Sequence, residues 1–289
     1  MLTTTEKSII IDPELSVRHQ LSDGKHFVFR IDVNEADKLK NSFLVLRSTT
    51  LNQYAELVLR AMKDLRGLRV VFLIRDKKLD VDGFLDKVQE LGAPTILSKL
   101  HLVTKPEQIQ TVVEAWYRGE QHDQISHVTI DENDLIVKDC AMKSYRISFE
   151  KIPVLCHLSP SDRNKYKFDG NTISWAKGKV DLDMDVIRYE CDLQFRRQKD
   201  LEALRLYGPT LTAKAIKNLR EQYSLTQGEI ATKAALSVRQ VSRLETGNQK
   251  LNASAASRLA KAHGTDLDSY LGKLINTCAK IEGEQLSSY

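Results

Sequence analysis

Four side chains between positions 238 and 243 have the types and the spacing to do chemistry together: Val238, Arg239, Ser242 and Arg243. At i, i+1, i+4 and i+5 they line one face of a helix. Two guanidinium forks one turn apart suit bidentate hydrogen bonds to paired acceptors such as guanine O6 and N7. The valine can touch a thymine methyl, and the Ser242 hydroxyl can bond a base or a phosphate. Ser237 stands where the N-cap of that helix is expected and joins the candidate base-contacting set. An arbitrary helix with two arginines would only present a solvated face, so the surrounding elements decide what this one does.

Other chemistries find little support. Cys140, Cys156, Cys191 and Cys278 are scattered and show no C-x-x-C spacing. Cys156-His157 is an adjacent pair too isolated for zinc. Neither G-x-G-x-x-G nor G-x-x-x-x-G-K follows a predicted strand. Asp76 and Lys105-Pro106 each follow an apolar run, as in phosphorylated receiver domains. Such domains place a further strand and helix between the two, and the interval here is too short. Asp181, Asp183 and Asp185 alternate, but a calcium loop needs Gly at its sixth position and Glu at its twelfth. Val186 and Asp192 stand there, so the expectation is one polar face of a strand with Leu182, Met184 and Val186 opposite. The sequence therefore predicts no catalytic residues, no metal and no cofactor.

The elements that must position Arg239 and Arg243 lie in the last quarter of the chain. Five short helical segments fit residues 211–274. The first runs from Leu211 to about Tyr223. Thr226 and Glu229 form a capping box that opens the second, with Ile230, Ala231 and Ala234 inward. A turn at Ala235-Leu236 follows, and Ser237 caps the third, which ends at Gly247. Helix, tight turn and helix within some twenty residues force a steep crossing that lets the later helix project outward. Upstream, 190–207 is helix-prone through Leu193, Leu201, Leu204 and Tyr207, and Gly208-Pro209 breaks the pattern.

The N-terminal part alternates strand and helix signals. Residues 26–33, 43–48, 69–74 and 94–103 read as strands, and 51–67, 82–92 and 106–118 as helices. Residues 1–24 read as a polar arm or short edge element. Such alternation predicts an α/β layer fold. Between 124 and 190 the pattern turns to short alternating strands about a turn at Asp131–Asp134. The expected architecture is an α/β N-terminal part over 1–122, a small α+β domain over 123–190, a connecting helix and hinge over 191–209, an all-α five-helix domain over 210–275 and a tail over 276–289.

The C-terminal segment resembles the phage-repressor and Cro-type (Xre) helix-turn-helix family. The match is Gln227-x-x-Ile230-Ala231-x-x-x-Ala235-x-Ser237-x-x-x-Val241-x-x-x-Glu245-x-Gly247. It extends to Ile216 and Arg220 upstream, and to Leu259-Ala260, Gly264, Leu267 and Leu271 downstream. The resemblance implies a recognition helix over 237–246 that enters the DNA major groove. It implies phosphate contacts from Thr226 and Gln227 at the head of the second helix, and from the loop Asn248, Gln249 and Lys250. Arg220 and Glu245 occupy positions that form an ion pair in relatives, and their role is structural. Ala235 stands where the family commonly has Gly. If it is left-handed, it costs on the order of 1 kcal/mol relative to Gly. The middle segment resembles domain of unknown function 2442, a small bacterial α+β family, through Gly170, Ile173, Trp175, Asp181 and Asp183. That resemblance brings no catalytic residues.

Charge distribution agrees with a nucleic-acid module on a neutral partner. Residues 208–289 carry 11 basic and 7 acidic side chains, whereas residues 1–207 carry 32 of each. Apolar residues make up 42% of the chain, ordinary for a soluble globular protein. No apolar run reaches the ~18 residues of a membrane span. The start, MLTTTEKSIIIDPELS, does not read as a signal peptide. The expectation is a cytoplasmic, sequence-specific transcription regulator, a homodimer on a palindromic site in double-stranded DNA. A protein partner or small-molecule signal would act at the N-terminal domains. The alternative is an antitoxin-like adapter, whose N-terminal part binds a partner protein while the helix-turn-helix autorepresses its operon.

Overall fold

The computed structural model describes residues 8–12, 17, 27–30, 42–48, 68–74, 99–105, 107–176 and 178–286. The chain divides into two compact units, Met1–Ile187 and Arg188–Tyr289. None of the described helices is long and apolar enough to cross a membrane.

The first unit begins with a five-stranded parallel sheet: β1 (Ser8–Ile11), β2 (Phe27–Arg30), β3 (Ser42–Arg47), β4 (Leu68–Ile74) and β5 (Leu100–Val103), in the order β2-β1-β3-β4-β5. β3 and β4 are almost wholly buried, which explains their unbroken apolar runs. One expectation is corrected here. Residues 8–11 form neither an arm nor an edge but an inner strand, paired to β2 on one side and β3 on the other. Three isoleucines flanked by polar residues are too short a run to show periodicity, yet Ile10 and Ile11 are buried. The helices expected over 51–67 and 82–92, and Asp76, lie outside the described residues. Helix α1 (Glu107–Arg118) follows β5 and buries Ile109, Val112, Val113 and Ala115.

Two three-stranded antiparallel sheets follow: β6 (Ile125–Asp131), β7 (Asp134–Asp139) and β8 (Ser144–Ser148), then β9 (Lys167–Phe168), β10 (Thr172–Trp175) and β11 (Val180–Asp183). Helix α2 (Pro160–Arg163), capped by Ser159, stands between them. Trp175 is fully buried; its indole N–H donates to the Arg163 carbonyl at 2.8 Å, and its ring meets Phe149 edge-on. The aspartate run departs from expectation. Asp181 and Asp183 share the exposed face of β11, but the strand stops there and helix α3 (Met184–Cys191) begins. The Asp183 carboxylate accepts the Val186 amide at 2.9 Å, which turns the chain into that helix. Val186 is therefore exposed instead of lying opposite the aspartates.

The second unit is helical: α4 (Leu193–Leu206), α5 (Gly208–Gln222), α6 (Gln227–Lys233), α7 (Val238–Glu245), α8 (Ala253–Ala262) and α9 (Leu267–Leu286). Its core joins Leu204, Ile216, Leu219, Ile230, Val241, Leu244, Leu259, Leu271 and Leu274. Helix α4 contributes Leu204 to that core, and Arg197 ties it to Asp268 of α9 through two hydrogen bonds at 2.7 and 3.0 Å. At Gly208, with φ of +79°, α4 passes directly into α5. Residues 276–286 continue α9, and Cys278 is buried.

Candidate nucleic-acid interface

Local sequence explains how α6 and α7 start. The Thr226 hydroxyl accepts the Glu229 amide at 3.2 Å, and the Glu229 carboxylate accepts the Thr226 amide at 2.7 Å. The Thr226 amide, and then the Thr226 hydroxyl, which donates to the same carboxylate at 2.8 Å, hold the Glu229 carboxyl below its ordinary range. Ser237 and Gln240 repeat the device at the head of α7: the Gln240 amide donates to the Ser237 hydroxyl at 3.1 Å, and the Ser237 amide to Gln240 Oε1 at 2.9 Å. The Ser237 hydroxyl is thus engaged in the cap. Between the helices Ala235 has φ of +50°, the left-handed conformation that Gly accepts more readily.

Helix α7 has two unlike faces. Val241, Leu244 and Glu245 are buried, whereas Val238 is 51% exposed. Arg239 and Arg243 are exposed, and Ser242 is half-buried. Neither arginine side chain has an ion-pair or hydrogen-bond partner among the described residues. The structure therefore brings Val238, Arg239, Ser242 and Arg243 together on the outward side of one helix.

Beneath α7, Glu245 fixes three helices. Arg220 of α5 donates to Glu245 Oε1 at 2.6 Å and to Oε2 at 3.0 Å. Both side chains are nearly inaccessible, at 10% and 2%. A third Arg220 nitrogen donates to the Leu225 carbonyl at 2.7 Å. The hydrogen bond to Glu245 raises the Arg220 pKa, so the charge persists. Gln227 of α6 donates from its amide nitrogen to Glu245 Oε2 at 2.8 Å. One hydrogen of that NH2 group remains for an outside acceptor.

The loop after α7 is held to it as well. The Gln249 amide donates to the Arg243 carbonyl at 3.0 Å, and Asn248 Nδ2 donates to Thr246 Oγ1 at 3.0 Å. Lys250 is exposed, with no partner among the described residues. Gly247 has φ of +76°, and a Cβ there would stand 3.2 Å from the Pro209 carbonyl oxygen.

Some contacts escape sequence reasoning. The Ser237–Gln240 box has a readable S-x-x-Q signal. Nothing in the sequence points to the Gln227–Glu245 bond, or to Arg258, whose guanidinium reaches the Ala235 carbonyl at 3.2 Å. The same holds for His263, buried between the rings of Tyr223 and Tyr270 with no hydrogen-bond partner for either ring nitrogen among the described residues.

The arrangement offers two uncommitted guanidinium forks, a methyl-bearing neighbour and a flanking lysine on a rigid helical frame. The crystal structure of the clp gene regulator ClgR from C. glutamicum is similar over 23% of this chain and 86% of that one, at 20% identity and a TM-score of 0.21. No curated protein matches the chain. The family model described as helix-turn-helix matches residues 216–270, which hold α6, α7 and α8 complete. Residues 216–270 are a helix-turn-helix domain of the phage-repressor and Cro (Xre) type.

Proposed function

We propose that the protein is a sequence-specific DNA-binding transcription regulator whose helix α7 reads base edges in the major groove. The observation that carries this reading is the exposure of Arg239 and Arg243, without partners among the described residues, on a helix locked from behind by Arg220, Gln227 and Glu245. A rigid support matters because a bidentate contact tolerates little misplacement. Arg239 and Arg243 take guanine O6 and N7, Val238 takes a thymine methyl, and Ser242 bonds a base or phosphate. Thr226, Gln227, Asn248, Gln249 and Lys250 hold phosphates on either side and set the register. Ser237 acts mainly by heading the helix, since its hydroxyl is shared with Gln240.

One such domain spans a few base pairs, so two copies act together on half-sites about 34 Å apart, one helical turn of DNA. Residues 1–190, including the segment resembling domain of unknown function 2442, serve as the sensing or oligomerising part. Selection of the full chain against random duplex DNA tests the proposal. The expected result is a palindromic consensus with guanines in each half-site. Enrichment of no sequence would overturn it.

A further inference from the structure

The C-terminal unit carries a cleft of about 190 Å³ between α4, α5 and the segment that follows α7. Leu204, Ile216 and Leu244 form its buried apolar lining, with Ala213 beside them. Its rim is cationic and polar: Arg205, Lys250 and Gln249. Arg205 and Lys250 have no side-chain partner among the described residues. An engineered apolar cavity of about 150 Å³ suffices for benzene, so this volume holds an aromatic ring system with a small substituent. Apolar lining with a few convergent polar groups is the ordinary character of a small-molecule site.

We propose that this cleft is an effector site for a small aromatic carboxylate, and that its occupation weakens DNA binding. The ring lies against Leu204, Ile216 and Leu244, and the carboxylate meets Arg205 and Lys250 at the rim. The sign of the coupling follows from residues shared with the proposed interface; that half of the inference rests on the DNA-reading proposal. Lys250 cannot give its charge to a bound carboxylate and a DNA phosphate at once. Leu244 belongs to α7, and the Gln249 amide is bonded to the Arg243 carbonyl, so a ligand pressing on this wall acts on the recognition helix itself. The sensing role expected of the N-terminal domains would then be shared by a site within the C-terminal unit.

The test uses the full chain with indole-3-carboxylate as probe and indole as its neutral counterpart. Methyl resonances of Leu204, Ile216 and Leu244 should shift on titration, at probe concentrations up to about a millimolar. Arg205→Gln should weaken the carboxylate about fivefold and leave indole unaffected. Ala213→Phe should fill the cleft and abolish binding of both; the surface variant keeps the test decisive if that core change fails to fold. Saturating probe should lower affinity for the selected duplex about tenfold, and saturating duplex should lower probe affinity by the same factor. The inference is overturned if those methyls do not move, if Arg205→Gln leaves carboxylate affinity unchanged, or if probe and duplex bind independently. The methyl titration needs no DNA, so it judges the cleft even where selection yields no operator.

Discussion

Arg239 and Arg243 occupy the same helix as Glu245, yet the three side chains have opposite fates. Two are exposed to solvent and one is sealed beneath, so their replacements should fail differently. Arg243→Ala should lose about 1–3 kcal/mol of discrimination at one base position, measured by competition between duplexes, with thermal stability unchanged. Lys250→Ala should weaken all sequences alike and lower the slope of log affinity against log salt by about one. Arg220→Leu should instead destabilise the fold by about 3–5 kcal/mol in urea denaturation, because it strands the Glu245 carboxylate. Histidine burial adds a pH dependence. His263 is 7% exposed, and burial, then Lys273 and Lys233, lowers its pKa from 6.5. The folded chain takes up that proton at lower pH than the unfolded chain does, so stability should fall as pH drops below 6.5. In the first unit His101, pushed down to about 3 by burial and then by His127 and Lys138, acts in the same direction. His263→Leu should flatten the acid side of the stability profile followed on the second unit; an unchanged slope would refute this assignment.

At the scale of elements, the turn between α6 and α7 holds a local misfit. Ala235 is left-handed at φ of +50°, so Ala235→Gly should stabilise the domain by up to about 1 kcal/mol, seen as a rise in Tm. A fall in Tm would mean that Arg258, which donates to the Ala235 carbonyl, needs the alanine geometry. The reverse change at Gly247 should destabilise, since φ is +76° and the Pro209 carbonyl stands in the way of a Cβ. Helices α6 to α8 were readable in the sequence because each carries its own punctuation: the two capping boxes, Gly247 and Gly264. Strand β1 was not, since the partners that bury it, β2 and β3, are remote in sequence. The end of β11 was equally hidden: alternation continues through Asp185, and only the Asp183 side-chain bond to Val186 marks the change to helix. Helix α4 looked like a connector because charged and amide side chains dominate its composition, while its tie to α9 spans 71 positions. In the candidate site, the residue types and face of α7 followed from spacing alone. The Gln227–Glu245 bond needed the folded crossing of α6 over α7.

At the scale of the whole molecule, the two units have separate cores. A fragment spanning 188–289 should therefore fold alone, with a cooperative unfolding transition of its own in urea; absence of that transition would contradict the division. Charge divides in the same way, with the excess of basic residues confined to 208–289. That field favours association with a polyanion but does not choose a sequence. On the proposed reading, choice belongs to α7, and that can be tested atom by atom on the selected operator. The measurement is a cycle in which each half-site guanine is replaced by 7-deazaguanine, against the original chain and against Arg239→Ala and Arg243→Ala. The account predicts that loss of one N7 weakens the original chain about tenfold and leaves the matching variant unaffected. Equal losses for the original chain and both variants would show that these guanidinium groups do not read the groove.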